Sequence, residues 1–327
     1  MPELENLGQR ILLRSPNWLG DAIMTLPALQ ALQSALPNSS ELFVLCPEKL
    51  ADLWRLVPGL KNVLTTERSI LATSSELRDS NFDSAILFPN SLRTALEARL
   101  ACIPRRFGFT GHFRSWLLTQ SWPRPRQTRG FVHHQKHYLA LMKHLGVPVD
   151  ETPFKPLPKP ACVSPGAKPC LAVCPGAEYG PAKRWLPERF AETIRRILKK
   201  QDLEVVLLGG PKDKDVAEEF RNQADFPVTD KIGKTGLCEF LNIIAHAKLV
   251  LCNDSGAMHA AALFGTPAVA IFGSTEPKLT GPLGNSVAVL REHVPCSPCF
   301  LRKCPIDFRC MNAVTPDQAV EAALARI

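Results

Sequence analysis

A chain of 327 residues that is 45% hydrophobic and 21% charged has material for two cores at about 150 residues per domain, and its composition excludes disordered and collagen-like chains. The most apolar run, Ala257 to Phe272, is broken by Gly265 and Pro267 and falls short of the roughly 20 residues that span a bilayer. The N-terminus, MPELENLGQR, has neither the basic start nor the apolar run of a secretory signal, so a cytoplasmic protein is expected. The formal charge of +8 is unevenly placed, as the chain-order reading shows.

Ile11 to Arg14 reads as a short buried strand, Ser15 to Gly20 as a loop, and Asp21 to Leu36 as a helix with apolar residues at helical spacing. Glu41 to Cys46 and Ser84 to Phe88 read as further strands and Leu92 to Leu100 as a helix, the alternation of a parallel α/β sheet. From Glu97 to Asp150 there is then no acidic residue, while Arg99, Arg105, Arg106, Arg114, Arg124, Arg126, Arg129, Lys136 and Lys143 fall there with five of the eight histidines. Phe113, Trp116 and Trp122 are interleaved with them. Such a surface suits a nucleic acid, an anionic membrane face or a phosphorylated substrate; a merely solvated basic face is the plainer alternative.

Prolines 148, 153, 156, 158, 160, 165 and 169 forbid helix or central strand, so 156–170 is expected to be an interdomain linker between a domain at 1–155 and one at 171–327. The second half restarts with strand Leu171 to Cys174, a loop to Trp185 and a helix from Pro187. Strand Glu204 to Leu208, helix Leu241 to Ala247, strand Leu249 to Cys252, a helix from Asn253-Asp254-Ser255-Gly256 to Phe264 capped by Gly265, and strand Ala268 to Phe272 complete it. The expected fold class is α/β, two doubly wound sheets with ligands at the carboxyl ends of their strands in an interdomain cleft.

Familiar nucleotide signatures are missing. No G-x-G-x-x-G follows a strand, and Gly233-Lys234-Thr235 lacks the first P-loop glycine, whose place is taken by Val228. Asp213-Lys214-Asp215 has a metal-holding D-x-D form, but its acids also suit a helix start. More specific is the loop PGAEYGPAKRW at 175–185, where small residues allow close backbone approach and Lys183 and Arg184 precede a helix. With the Asp254-Ser255-Gly256 turn it could hold a diphosphate. Asp254 and Asp21 are each equally readable as helix-start acids. Cys296, Cys299, Cys304 and Cys310 make a C-x2-C-x4-C-x5-C cluster that suits either a structural zinc or reduced thiols packing a loop.

The strings RSPNWLGDAIMTLPALQAL, FPNSLRTAL, IPRRFGFTGHFRSWLLT, PGAEYGPAKRWLPERFAE and NDSGAMHAAALFGTPAVAIFGSTEP resemble the bacterial lipopolysaccharide core heptosyltransferases of glycosyltransferase family 9. The resemblance runs from near Ile11 to about Pro282. It implies a GT-B architecture of two Rossmann-like domains, the acceptor on the first and the nucleotide sugar on the second. It further implies inverting transfer of L-glycero-D-manno-heptose from ADP-heptose to the first heptose of the Kdo-lipid A core, with no required cofactor or metal, at the anionic inner-membrane face and with no nucleic acid partner. Asp21 is then the base, and Lys183 with the amides of Ser255 and Gly256 meets the charge on departing ADP. Donor contacts are implied at Gly176, Glu178, Tyr179, Gly180, Asp213, Thr235, Asp254 and His259, and acceptor contacts at Asn17, Asn90, Ser91, Arg93, Arg105, Arg106 and Arg114. Alternatives are a paralogue with another core acceptor, an NDP-sugar epimerase, which would need a second acid/base pair, and a nucleic-acid binder, which gives the Lys183 and Asp254 loops no task.

Overall fold

The computed structural model describes the chain except residues 1–3, 5–6, 67–68, 126–130, 150–153 and 162–167. Arg126 and Arg129 of the basic run, and part of the proline-rich stretch, therefore lie outside the described residues. Two compact units divide the chain, Met1–Phe154 and Lys155–Ile327. Twelve strands among the described residues form two six-stranded sheets, one in each unit.

In the first unit β1 (Arg10–Arg14), β2 (Glu41–Cys46), β3 (Asn62–Thr65), β4 (Ser84–Leu87), β5 (Arg105–Phe109) and β6 (Gln120–Trp122) lie in the order β3-β2-β1-β4-β5-β6. Every pairing is parallel, with Leu13 opposite Val44 and Ile86. In the second, β7 (Cys170–Cys174), β8 (Glu204–Leu207), β9 (Val228–Asp230), β10 (Leu249–Asn253), β11 (Ala268–Ile271) and β12 (Val287–Leu290) lie in the order β12-β11-β10-β7-β8-β9. Again all are parallel, with Leu251 opposite Val173 and Val269. Numbered from its own first strand, each sheet has the Rossmann order, and the direction of winding reverses between β1 and β4 and between β7 and β10.

The central strands are apolar throughout because helices cover both faces: Leu249 to Cys252 are fully buried. Helix Pro187–Leu198 shows the matching pattern, with Phe190, Ala191, Ile194 and Ile197 buried on one side. Helix Gly256–Phe264 is rich in alanine and apolar apart from His259, buried from Ala257 onward, and Gly265 ends it with a left-handed φ of 66°.

Two expectations are corrected. The single helix expected over Asp21–Leu36 is two, Leu19–Met24 and Leu26–Ala35. Pro27 lacks the N–H that would bond back to Ile23, and the Thr25 hydroxyl instead donates to the Ala22 carbonyl at 2.6 Å. The proline-rich stretch is not simply a free linker: Leu157 is buried and its N–H donates to the Leu263 carbonyl at 2.8 Å, so from Lys155 the chain already belongs to the second unit.

Candidate functional site

In each unit the candidate catalytic residues lie at the winding reversal, where two neighbouring strands send their connections to opposite faces and leave a crevice. In the first unit the loops after β1 and β4 contribute Asn17, Asp21 and Asn90 to one hollow of about 300 Å3, completed by Trp18, Phe109, Arg124, His134, His137 and Tyr138. Asp21 is in the first turn of its helix, one third exposed, with one carboxylate oxygen 3.9 Å from Nδ1 of His134. Asn90 is fixed by donating to the Thr110 carbonyl at 3.0 Å. Ser91 caps helix Leu92–Leu100 by accepting from the Thr94 N–H at 3.4 Å.

Beneath the loops that line this hollow is a charge network that composition does not reveal. Glu97, 1% exposed, takes Arg14 at 3.4 Å and Arg93 at 2.7 Å, and Arg14 also donates to the Ser15 carbonyl at 2.7 Å. A buried carboxylate with two guanidiniums thus ties β1, the loop leading to the helix of Asp21, and the helix after Asn90 into one frame.

The arginines expected to reach an acceptor are placed differently from one another. Arg114 is fully buried: its guanidinium donates to the carbonyls of Pro89 and, at 3.3 Å, Ser91, and burial lowers its pKa to about 10. As placed it holds the 89–91 loop from behind, and these partners are backbone carbonyls. Arg106 is half-buried and donates to the Leu117 carbonyl at 2.7 Å and to that of Ile103. Arg93 is occupied with Glu97, and Arg105 is exposed at the start of β5, the end of that strand away from Phe109 and the hollow.

Helix His134–His144 supplies the remaining wall and went unremarked in the sequence except as a cluster of histidines. His137, 4% exposed, has a pKa lowered to about 4, first by burial and then by Arg124 and His134. Tyr138 packs edge-on against Phe88, and burial, with Asp21 adding to it, raises its pKa. The unfolded chain protonates this histidine near 6.5 and the folded one only near 4, so acid favours the unfolded state between those values. His137→Gln is therefore expected to remove part of the fall in unfolding free energy from pH 6.5 to 4, on the order of 2 kcal/mol, and to change nothing above pH 7. Urea titrations at four pH values check this.

In the second unit the loops after β7 and β10 interlock. Asn253, fully buried at the end of β10, accepts from the Trp185 N–H at 2.9 Å and donates to the Pro175 carbonyl at 2.6 Å, holding both ends of the 175–185 loop. Within that loop Lys183 Nζ is 2.6 Å from Asp254 and 4.8 Å from the Tyr179 ring centre. Asp254 is 4% exposed and also accepts from the Thr275 hydroxyl. Tyr179 is anchored by donating to the Phe300 carbonyl at 2.6 Å. Gly180 has a φ of 151°, and a Cβ there would sit 2.5 Å from the Arg302 carbonyl oxygen. Ser255 and Gly256, both half-buried, open the buried helix, Ser255 as its cap, and His259 is buried one turn in.

Beside this centre, a Cβ on Gly176 would meet the Asp213 carboxylate at 2.2 Å. Asp213 accepts from the Gly210 N–H at 3.0 Å with Arg184 at 3.5 Å, and burial raises its pKa. The loop carrying half-buried Thr235 joins the same end, Gly233 donating to the Gly209 carbonyl at 3.0 Å. Glu178 forms an exposed pair with Lys212 at 2.9 Å. Asn253, Thr275 and the buried Glu276–Arg291 pair at 2.6 Å were not singled out from sequence, although all but Arg291 lie in the string from Asn253 to Pro277.

Burial raises the pKa of Cys310, with Cys296, Cys299 and Cys304 close enough to add to it, and the Phe308 N–H points to Cys304 Sγ at 3.4 Å. Among the described residues no group of three or more His, Cys, Asp or Glu side chains is placed to hold a metal ion. No helix among them is long and apolar enough to cross a membrane.

The model of glycosyltransferase family 9 (heptosyltransferase) matches residues 70–308. Lipopolysaccharide heptosyltransferase 2 of Escherichia coli K12 is 30% identical over 314 residues, 86% of this chain and 88% of that protein. Lipooligosaccharide heptosyltransferase 2 of Haemophilus influenzae is 31% identical over 310 residues, with the same coverage. The solved structure of E. coli ADP-heptose lipopolysaccharide heptosyltransferase II matches with a TM-score of 0.83 at 27% identity, covering 97% of this chain and 98% of that one, which makes the fold class GT-B. Two parallel Rossmann sheets, paired loops at each winding reversal and these matches over most of the chain agree, and the protein belongs to glycosyltransferase family 9, the heptosyltransferases.

Proposed function

We propose that the protein is the inner-core enzyme that moves L-glycero-D-manno-heptose from ADP-heptose to the first heptose of Kdo-lipid A, working at the cytoplasmic face of the inner membrane. The observation that carries the donor half of this reading is the Lys183–Asp254 pair at 2.6 Å, at the winding reversal of the second sheet. A lysine has three N–H donors. One is met by Asp254, and the others remain for the two phosphates of a donor lying along the amides of Ser255 and Gly256. Asp213 and the Thr235 loop then serve the nucleoside end.

The reaction is a single displacement. The Asp21 carboxylate takes the proton of the acceptor hydroxyl as its oxygen bonds to the anomeric carbon from the face opposite the diphosphate. The bond from that carbon to the phosphate oxygen breaks, inverting the centre, and Lys183 with the two amides meets the negative charge that ADP gains. Because that charge is met by the protein's own cation, turnover is expected to continue in excess chelator.

Thermal melts with ADP, ADP-heptose, UDP-sugars and a DNA oligomer at two salt concentrations test the reading. Ligands that bind only the folded state raise its midpoint. A rise with ADP and ADP-heptose alone, followed by transfer to a deacylated Kdo-heptose acceptor, is expected; a rise with UDP-sugars instead would overturn the donor assignment.

A further inference from the structure

Phe113 and Trp116 are the two most exposed large apolar side chains among the described residues, at 93% and 75%. They stand on the crossover 110–119, which leaves the carboxyl end of β5 and returns to begin β6. Single exposed apolar residues are ordinary, but here the backbone holds both outward. Arg114 and Leu117, next to them in the chain, are buried, and the Arg114 guanidinium grips the carbonyls of Pro89 and Ser91 from inside. His112 and Phe113 take left-handed φ values of 48° and 54°, a conformation such side chains rarely adopt, and the Arg114 N–H closes the turn on the Gly111 carbonyl at 3.1 Å. Leu92, also exposed, begins the helix next to Ser91.

Along the chain through this crossover the charges have one sign. No acid occurs from Ala98 to Val149, and Glu97 is buried against Arg14 and Arg93. Arg99 and Arg105 are exposed, and Arg106, bonded to the Leu117 carbonyl, lies near Arg99. A soluble anion would explain the cations but not two aromatic side chains kept in water. Anionic lipid explains both, since aromatic rings settle at the headgroup boundary while guanidiniums pair with lipid phosphates. The crossover also borders the hollow of Asp21: the Thr110 carbonyl accepts from Asn90, and Arg114 holds the Pro89–Ser91 segment.

The geometry points to the 110–119 crossover as a membrane-docking wedge, in which Phe113 and Trp116 enter the headgroup layer of an anionic bilayer beside the acceptor hollow while Arg99 and Arg106 pair with its phosphates. The inference rests on the reading that the acceptor is lipid-borne. Its consequence is that the acceptor sugar reaches Asn90 and Asp21 with its lipid still in the bilayer.

The test is co-sedimentation of the full chain with phosphatidylethanolamine–phosphatidylglycerol vesicles and with phosphatidylcholine vesicles, for the unaltered protein and for the Phe113→Ser/Trp116→Ser double variant. The expected result is at least a tenfold fall in partition onto anionic vesicles, with unchanged melting temperature and unchanged turnover on a deacylated, water-soluble acceptor. Equal partition of the variant would overturn the wedge, because the cations alone would then carry the contact. So would a concentration-dependent dimer in lipid-free gel filtration that the double substitution abolishes, which would mark the patch as a self-association surface. If no variant or parent transfers heptose to the soluble acceptor, the functional reading fails, while the vesicle comparison still decides whether the patch meets lipid. As a spectroscopic check, quenching by brominated lipid should be lost selectively in Trp116→Phe.

Discussion

Asp21→Asn is expected to lower turnover about 1,000-fold, within the range for removal of a general base, while ADP-heptose affinity stays within about twofold. The amide keeps the size and hydrogen bonding of the carboxylate but cannot hold the proton that the acceptor hydroxyl must lose. Asp21 is one third exposed, with the His134 ring 3.9 Å away, so the folded state loses little and the melting temperature should hardly move. The loops assigned to the donor belong to the second unit, which is why affinity for it should survive. Initial rates on the deacylated acceptor and calorimetry with ADP-heptose read the two quantities separately. Retained turnover would remove Asp21 as the base.

Lys183→Met is expected to damage binding and folding together, and a second substitution should separate them. The Lys183 and Asp254 side chains are only 12% and 4% exposed, so removing the cation leaves a buried carboxylate with the Thr275 hydroxyl as its remaining partner. Breaking a buried pair in this way costs about 3 kcal/mol or more, which for a unit of this size lowers the melting temperature by roughly 6 °C or more. ADP-heptose affinity should fall about 100-fold, from loss of the charge that meets the diphosphate. In the Lys183→Met/Asp254→Asn double variant the uncompensated charge is gone. Most of the melting temperature should return, while affinity stays low. If affinity returned with stability, Lys183 would be a structural residue and the diphosphate would have to be held elsewhere.

The sequence was readable where one residue type meets one requirement. Runs such as Leu249 to Cys252 can only be strands covered on both faces, and the loops after such strands held Asp21, Asn90, Lys183 and Asp254 at the winding reversals. It was unreadable where the same letters serve two purposes. Arg114 looks like a surface cation, because a guanidinium buried against backbone carbonyls has no side-chain partner whose identity could announce it. β5 reads Arg105-Arg106-Phe107-Gly108-Phe109, a basic run with a glycine, and β3, β6 and β9 are three or four residues long, too short for a period-two pattern to emerge. Glu97, inside an amphipathic helix, gave no sign of lying under two arginines. Asn253 looked like part of a helix cap, yet its side chain spans the two ends of a loop 68 to 78 residues earlier in the chain.

That amide bears on how the donor half-site answers to its surroundings. The carboxamide of Asn253 carries no net charge and does not titrate in water, and it is fully enclosed. Counterions therefore cannot screen it, nor protons compete for it, whereas the phosphates of any diphosphate that Lys183 meets answer to both. Raising ionic strength should slacken the hold on the ligand while the frame that presents Lys183 keeps its shape. The slope of donor affinity against salt concentration would then count ionic contacts alone, uncontaminated by rearrangement of the loop.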